Sequence, residues 1–250
     1  MQDILEVSQV TKSFGGLKAV DNCTFSVKKG SITGLIGPNG AGKTTMFNII
    51  SGNLSPSEGH IYFNDKDITK MGSYKRAHLG LGRSFQKIRI FPELSVLENI
   101  IIAFKDNKEK IWQAFVPQKA HKKTLEKRAM KLLESVNLQE KSNLKGYELS
   151  YGQKKLLEIL RIKAVDAKFI LLDEPTAGIN PTLIKDIKKM IKSLRDEGRT
   201  ILIVEHNMPF IMDLCEHIIV MDRGTNIAEG KPSDIQKNEK VLKAYLGHTK

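Results

Sequence analysis

Short apolar runs alternate with segments of helical periodicity along most of the chain, which is typical of an α/β protein. Three runs, residues 31–36, 169–172 and 200–204, are apolar nearly throughout, which predicts strands buried on both faces of a parallel sheet. The other predicted strands are 4–7, 22–27, 60–63, 81–85, 218–221 and 226–229. The predicted helices are 43–50, 96–104, 125–136, 153–164, 181–197, 208–215 and 239–245.

The strand pattern stops in the middle of the chain. From about residue 88 to 164 helical periodicity takes over, and no heptad repeat is long enough for a coiled coil. We therefore expect one domain over 1–250, with an α/β core of residues 1–87 and 165–230. A helical subdomain over 88–164 would interrupt that core, and a helical tail would follow over 231–250.

Composition excludes several protein classes. The 250 residues are 40% hydrophobic and 27% charged, as in a globular protein, and no apolar run reaches the ~18–20 residues of a membrane span. The first residues contain neither a basic stretch nor an apolar one, so we expect no secretory signal. Cys23 and Cys215 lack metal-ligand spacing, which favours small core residues in a reducing compartment.

The net charge of +12 indicates an anionic partner: a nucleic acid, a phosphorylated ligand or a lipid surface. Solvated surface lysines would give the same net charge, so composition alone does not decide between an anionic partner and a solvated surface.

Residues 37–44, Gly-Pro-Asn-Gly-Ala-Gly-Lys-Thr, match the phosphate-binding pattern G-x-x-x-x-G-K-[ST] between a predicted strand and a predicted helix. Such glycines turn backbone N–H groups inward to cradle an anion; the alternative is a glycine-rich turn. We expect Lys43 to reach the β- and γ-phosphates and the Thr44 hydroxyl to bind Mg²⁺. The nucleotide-binding residues predicted in this segment are Gly37, Pro38, Asn39, Gly40, Ala41, Gly42, Lys43, Thr44 and Thr45.

Two acids, Asp173 and Glu174, end the predicted strand 169–172. At the carboxyl end of a parallel strand they would face the ligand crevice. Asp173 would support Mg²⁺, directly or through water, and Glu174 could polarise an attacking water. Without the phosphate-binding pattern, the pair would be an ordinary solvated strand end.

Residues 149–153, Leu-Ser-Tyr-Gly-Gln, precede a predicted helix and then the acidic strand end. This order and spacing resemble the ATP-binding cassette (ABC) family of transporter ATPases over essentially the whole chain. The resemblance implies a P-loop NTPase (RecA-like) α/β core with an N-terminal antiparallel β-subdomain and an inserted α-helical subdomain. It also implies a Mg²⁺-dependent ATPase with ATP and Mg²⁺ as its ligands.

The resemblance implies roles for further residues. Phe14 would stack on adenine, with Val20 beside it, and Gln86 would sense Mg²⁺ and the membrane partner. His206 would contact the γ-phosphate and act in catalysis with Glu174 and Lys43. The metal ligands would be Thr44, Gln86 and Asp173. Each of these side chains, taken alone, would be an ordinary core or satisfied polar residue.

The signature segment implies a pair of subunits. Ser150, Gly152 and Gln153 would close over the ATP of the other subunit, and residues 177–180 would bridge the two. The partner would be a second copy or a paralogous ATPase subunit. The resemblance further implies two transmembrane permease subunits, a solute-binding protein acting indirectly and no nucleic acid. The chain would lie in the cytoplasm, peripheral on the inner face of the cell membrane.

Two departures from the family pattern refine the resemblance. Tyr151 replaces the usual glycine, and Asn180 replaces the usual acid. Either could weaken activity, yet both are similar to one subgroup, the ATPases of branched-chain amino acid importers. Residues 80–86 and 241–247 resemble the same subgroup, so we expect an active ATPase that energises import of branched-chain or related amino acids.

Other functions of the same fold stay open. They are urea uptake, lipopolysaccharide export and, less favoured, a DNA-associated ATPase, although such DNA-associated proteins carry long coiled coils.

Residues 105–131 hold nine Lys or Arg and three acids, half of the chain's excess positive charge. We expect this basic segment to lie near anionic lipid headgroups; the alternative is a solvated helix face.

Overall fold

The computed structural model describes residues 2–84, 89–104 and 118–246, without the side chains of 118–121 and 246. The chain divides into two compact units. The first comprises Met1–Arg83, Lys168–Thr176 and Lys188–Lys250, and the second comprises Ser84–Ala167 and Ala177–Ile187. The boundaries that the sequence predicts for the α/β core, the helical subdomain and the helical tail stay predictions.

The strands agree with most of the predicted ones in place, although several differ in length. They are β1 Asp3–Phe14, β2 Leu17–Lys28, β3 Ile32–Ile36, β4 Glu58–Phe63, β5 Lys66–Asp67, β6 Leu81–Arg83, β7 Phe169–Asp173, β8 Thr200–Val204, β9 His217–Asp222 and β10 Thr225–Gly230. The helices are α1 Lys43–Ser51, α2 Ser73–His78, α3 Val96–Ile101, α4 Gln118–Glu134, α5 Tyr151–Ala164, α6 Pro181–Asp196, α7 Met208–Leu214, α8 Pro232–Ile235 and α9 Glu239–Leu246.

The first unit contains a six-stranded sheet in the order β10-β9-β3-β8-β7-β6. Its strands run parallel except β10, which pairs antiparallel with β9. Every residue of β3, β7 and β8 is buried, as expected for apolar strands covered on both faces. The carboxyl ends of these adjacent strands therefore meet at one edge of the sheet.

The second sheet of this unit is antiparallel, in the order β2-β1-β4-β5. Strand β1 is three times and β2 twice as long as the sequence pattern predicts, because irregularities break the alternation inside them. Gln9 and Asn22 adopt positive φ values of 49° and 45°, and the register between β1 and β2 shifts between Val7 and Val10. The predicted α/β class with an antiparallel β-subdomain is confirmed.

Helix α1 packs in the hydrophobic core that the two sheets share. Met46, Phe47 and Ile50 are fully buried there, together with residues from both sheets. Cys23 and Cys215 are buried free thiols, as predicted, and burial raises the pKa of each to about 12.

The second unit contains α3, α4, α5 and the start of α6. Helix α3 begins with a reciprocal capping box between Ser95 and Glu98, and α4 begins at Gln118, earlier than the predicted residue 125. None of the described residues between 89 and 164 forms a strand of the two sheets. Within the described parts of the chain, no helix has both the length and the apolar character needed to cross a bilayer.

A buried arginine holds the C-terminal end of α1. The Arg76 side chain, only 1% exposed, donates hydrogen bonds to the carbonyls of Ile49, Ile50, Ile68, Thr69 and Met71. Those of Ile49 and Ile50 belong to the last turn of α1, where carbonyls lack helical partners. Burial lowers the pKa of Arg76 to about 10, so the guanidinium stays charged at neutral pH.

Replacing Arg76 with Met should lower the free energy of unfolding by at least about 3 kcal/mol, because five buried or partly buried carbonyls lose a charged donor at once. Urea denaturation measures the change. Lys75→Met, an exposed position on the same helix, is the matched control and should stay within about 0.5 kcal/mol. Equal stability of the two variants would contradict this role of Arg76.

Candidate functional site

The glycine-rich loop leaves β3 and enters α1 through three residues of unusual backbone conformation. Gly37, Gly40 and Gly42 have φ values of 151°, 80° and 95°. A Cβ atom on Gly37 would overlap the carbonyl oxygen of Met221, and one on Gly42 would overlap that of Ala19. Glycine is therefore required at these two positions for space as well as for conformation.

Lys43, the first residue of α1, folds back over its own loop. Its side-chain ammonium donates to the carbonyls of Gly37 and Pro38 at 2.7 and 2.8 Å, and the residue is 6% exposed. Burial lowers the pKa of Lys43, and the nearby Glu174 carboxylate opposes that shift. The next residue, Thr44, is exposed beside this buried cation.

Asp173 ends β7 as a buried carboxylate, 3% exposed. Its Oδ2 lies 3.4 Å from Nη2 of Arg83, at the end of the neighbouring strand β6. The same guanidinium donates to the side chains of Asn48 and Ser51 on α1. Arg83 thus ties the acidic end of β7 to the helix that follows the glycine-rich loop.

Glu174 and His206 form a close pair at the carboxyl edge of the sheet. Oε1 of Glu174 lies 3.2 Å from Nε2 of His206, and the two side chains are 25% and 46% exposed. Glu174 has a φ of 46°, a strained conformation for a non-glycine residue, and its N–H donates to the Val204 carbonyl at 2.8 Å.

A second acid, Glu205, fixes the loops on which this pair lies. Its carboxylate is 4% exposed and accepts hydrogen bonds from the backbone N–H groups of His206 and Asn207 at 2.7 and 3.1 Å. It also accepts from the N–H of Thr176 at 2.8 Å and from the Thr176 hydroxyl. The loop after β7 and the loop after β8 therefore share one buried acceptor.

Two residues predicted to contact a base differ in exposure. Phe14, at the end of β1, is 50% exposed, with the Lys12 ammonium 5.4 Å from its ring centre. Half of the Phe14 residue is therefore accessible, with a cation over its ring. Val20 is fully buried in the hydrophobic core, so its side chain offers no surface to a ligand in this structure.

The signature segment lies in the second unit. Ser150 caps α5: its hydroxyl accepts from the Gln153 N–H, and the Gln153 side chain accepts from the Ser150 N–H at 3.1 Å. A Cβ atom on Gly152 would overlap the Leu183 side chain. The exposed Ser150 is thus held at a helix N-terminus, an arrangement that suits an anion.

The two departures from the family pattern have visible contacts in this same unit. The Tyr151 ring packs on Gly178, where an added Cβ would lie 3.3 Å from the ring. Asn180 accepts a hydrogen bond from the Leu183 N–H at 2.9 Å and so caps the start of α6. Tyr151 therefore connects the signature segment to the loop 177–180.

The predicted magnesium ligands are only partly placed. Gln86 lies outside the described residues. In the described part of the chain, no cluster of three or more His, Cys, Asp or Glu side chains could hold a metal by itself. A hydroxyl and one carboxylate suit Mg²⁺, which keeps waters and takes phosphate oxygens as its other ligands. Thr44 and Asp173 offer those two groups.

Arg83 and Glu205 were not predicted as site residues. Arg83 lies in the segment 80–86 next to Ser84, and Glu205 precedes His206. The sequence around a single charged residue does not show whether its side chain is buried. A weak signal exists for Glu205, which directly follows the predicted buried strand 200–204, whereas Arg83 lies inside the predicted strand 81–85.

Comparisons with known proteins place these features in context. The family model described as ABC transporter matches residues 20–177, and that described as branched-chain amino acid ATP-binding cassette transporter matches residues 225–250. The high-affinity branched-chain amino acid transport ATP-binding protein BraF of Pseudomonas aeruginosa is 39% identical, over 98% of each chain. The probable branched-chain amino acid transport ATP-binding protein LivG of Archaeoglobus fulgidus is 40% identical, over 98% of this chain and 95% of that one.

Solved structures give the same comparison in three dimensions. An ATP-binding cassette of an ABC transporter in its ADP conformation is 35% identical and covers 99% of this chain and 100% of its own, with a TM-score of 0.83. A dimeric bacterial ABC transporter cassette is 27% identical and covers 91% and 98%, with a TM-score of 0.76.

Replacing Gly37 with Ala should lower the free energy of unfolding by at least about 2 kcal/mol more than replacing Gly40 with Ala. Both glycines have positive φ, but a Cβ on Gly40 meets no atom within 4 Å, whereas one on Gly37 overlaps backbone. Chemical denaturation of the two variants measures the difference. Equal losses would mean that the loop shifts freely and that the close approach to Met221 is not required.

Proposed function

The chain belongs to the ABC transporter family, and we propose that it hydrolyses ATP to energise the import of branched-chain amino acids. The proposed ATP hydrolysis rests on the Glu174–His206 pair, in which Oε1 of Glu174 lies 3.2 Å from Nε2 of His206. A carboxylate and an imidazole in that geometry can orient and polarise a water molecule.

In this proposal the loop 37–45 binds the phosphates of ATP. Backbone N–H groups and the start of α1 supply partial positive charge, and Lys43 supplies a full one. An incoming phosphate would compete with the Gly37 and Pro38 carbonyls for the Lys43 ammonium, which would then move from its own loop to the ligand. Phe14 would stack on the base, and Val20, which is buried in this structure, stays a predicted contact beside it.

The proposed metal site fits the side chains that are described. Thr44 and Asp173 would hold Mg²⁺, and Gln86 stays a predicted ligand. The bound ion neutralises phosphate charge and so favours attack on the γ-phosphate. Arg83 would keep the Asp173 carboxylate oriented, because its guanidinium is anchored on α1.

Catalysis would begin with water held near Glu174. The carboxylate would accept a proton from that water, and His206 would hold the reacting geometry around the γ-phosphate. Glu205 would keep both loops in place through its hydrogen bonds to Thr176 and His206. The strained backbone of Glu174 is consistent with a residue whose position matters for its chemistry.

We further propose that the chain works as a pair. The exposed Ser150, at the N-terminus of α5, would close over the ATP of a second subunit, together with Gly152 and Gln153. A related cassette at 27% identity has been solved as a dimer, which supports this proposal. The second subunit would be another copy or a paralogue.

The proposed cargo rests on the two relatives named for branched-chain amino acid transport and on the match over residues 225–250. The solute itself would be chosen by two permease subunits and a solute-binding protein, with no nucleic acid involved. The chain would then act at the cytoplasmic face of the membrane. Contact of the basic segment with lipid is part of this proposal, although residues 105–117 lie outside the described ones.

Glu174→Gln should reduce ATP turnover by at least about 100-fold, because the amide cannot accept the proton of the attacking water. ATP binding should persist, and the variant should accumulate as an ATP-bound dimer, which steady-state hydrolysis and size-exclusion chromatography measure. Glu6→Gln, at an exposed position of β1, is the matched control and should hydrolyse ATP at the unaltered rate. Undiminished hydrolysis by Glu174→Gln would overturn the proposed role.

A further inference from the structure

A loop of the second unit, residues 91–95, is held by one fully buried amide, the side chain of Asn99 in α3. Oδ1 of Asn99 accepts a hydrogen bond from the Phe91 N–H at 2.8 Å. Nδ2 donates to the carbonyls of Phe91, Leu94 and Ser95 at 2.9, 3.3 and 3.0 Å. The amide thus supplies the partners that the backbone of an irregular loop lacks. A single side chain therefore fixes both ends of this loop.

The same loop holds the segment 144–148, which runs directly into the signature segment. The N–H of Gly146 donates to the Leu94 carbonyl at 2.9 Å, and the N–H of Tyr147 donates to the Pro92 carbonyl at 3.1 Å. These two backbone hydrogen bonds join parts of the chain that lie about fifty residues apart in sequence. The conformation of the segment therefore depends on that of the loop.

Side chains of α5, the helix that begins at the signature segment, contact both partners. The Lys154 ammonium donates to the Tyr147 carbonyl at 3.0 Å, and the Arg161 guanidinium lies 4.9 Å from the centre of the Phe91 ring. The approach of segment and loop is also close, since a Cβ atom on Gly146 would lie 2.8 Å from the Phe91 carbonyl oxygen. Loop, segment and helix are thus packed as one assembly inside the second unit.

We propose that Asn99 is a positioning residue for the signature segment. Asn99 fixes the loop 91–95, the loop fixes the segment 144–148, and that segment sets where Ser150 begins α5. A hydroxyl and N–H groups that are held at a helix N-terminus before the ligand arrives bind a phosphate more tightly than mobile ones. The inference rests on the proposed pairing, in which Ser150 closes over the ATP of a second subunit.

The test measures ATP-driven pairing in the Glu174→Gln background, in which the ATP-bound dimer should accumulate. Asn99→Ala removes all four side-chain hydrogen bonds to the loop. The dissociation constant of the dimer in ATP, measured by sedimentation equilibrium, should rise by at least about 10-fold. The affinity for ADP should stay within about twofold, because the glycine-rich loop lies in the first unit. Asn143→Ala, at an exposed position of the second unit, is the matched control and should change neither quantity.

Amide hydrogen exchange separates positioning from simple loss of stability. In Asn99→Ala the amides of Gly146 and Tyr147 should exchange faster, while those in the middle of α5 keep their rates. Unchanged pairing in this variant would overturn the inference. Faster exchange throughout α5 together with weaker pairing would also overturn it, since Asn99 would then only stabilise the second unit.

Gly146→Ala disturbs the same contact from the other side and decides the question if Asn99→Ala does not fold. Its Cβ would press on the Phe91 carbonyl oxygen, so pairing should weaken while the affinity for ADP stays unchanged. Undiminished pairing by this variant would contradict the inference. Failure of Glu174→Gln itself to pair in ATP would overturn the proposed pairing and the inference with it, whereas a loss confined to Asn99→Ala and Gly146→Ala supports both.

Discussion

The arrangement at the carboxyl edge of the sheet depends on the buried carboxylate of Glu205. It accepts hydrogen bonds from Thr176 in the loop after β7 and from the backbone after β8. A buried charge is costly unless it is fully hydrogen-bonded, and here every donor comes from one of those two loops. Removing any of them would leave the charge under-satisfied, so the loops are held together. Glu174 and His206 lie one residue or two from these anchors, which explains why they stay paired while remaining accessible to solvent.

Polar contacts of Arg83 also connect the acidic end of β7 to α1, the helix that follows the glycine-rich loop. Arg83 contacts Asp173 on one side and α1 on the other, and Arg76 holds the far end of the same helix. Gly37 packs against the Met221 carbonyl, and its own carbonyl accepts a hydrogen bond from the Lys43 ammonium. The site is therefore supported mainly by hydrogen bonds to backbone groups, which suits loops that must keep one conformation without a ligand.

Periodicity and motif spacing predicted the buried strands β3, β7 and β8, the loop 37–44 and the acidic strand end, because each depends on short-range sequence. The lengths of β1 and β2 could not be predicted, since bulges at Gln9 and Asn22 break the alternation that marks a strand. Helix α2 was missed because it is short and polar and is anchored by Arg76, whose acceptors lie up to 27 residues away. Glu205 and Arg83 could not be predicted as supporting residues for the same reason: their partners are set by tertiary structure. The predicted nucleotide contact of Val20 stays a prediction, and its side chain is buried in this structure.

The central claim is that ATP hydrolysis at this edge energises the import of branched-chain amino acids. It is tested most directly by uptake of radiolabelled leucine, isoleucine and valine in cells that lack the gene for this chain. The account predicts that uptake of all three falls to background and returns when the gene is supplied again, while urea uptake is unchanged throughout. Normal uptake of the three amino acids in the deletion strain, with loss of urea uptake or of another solute, would contradict it.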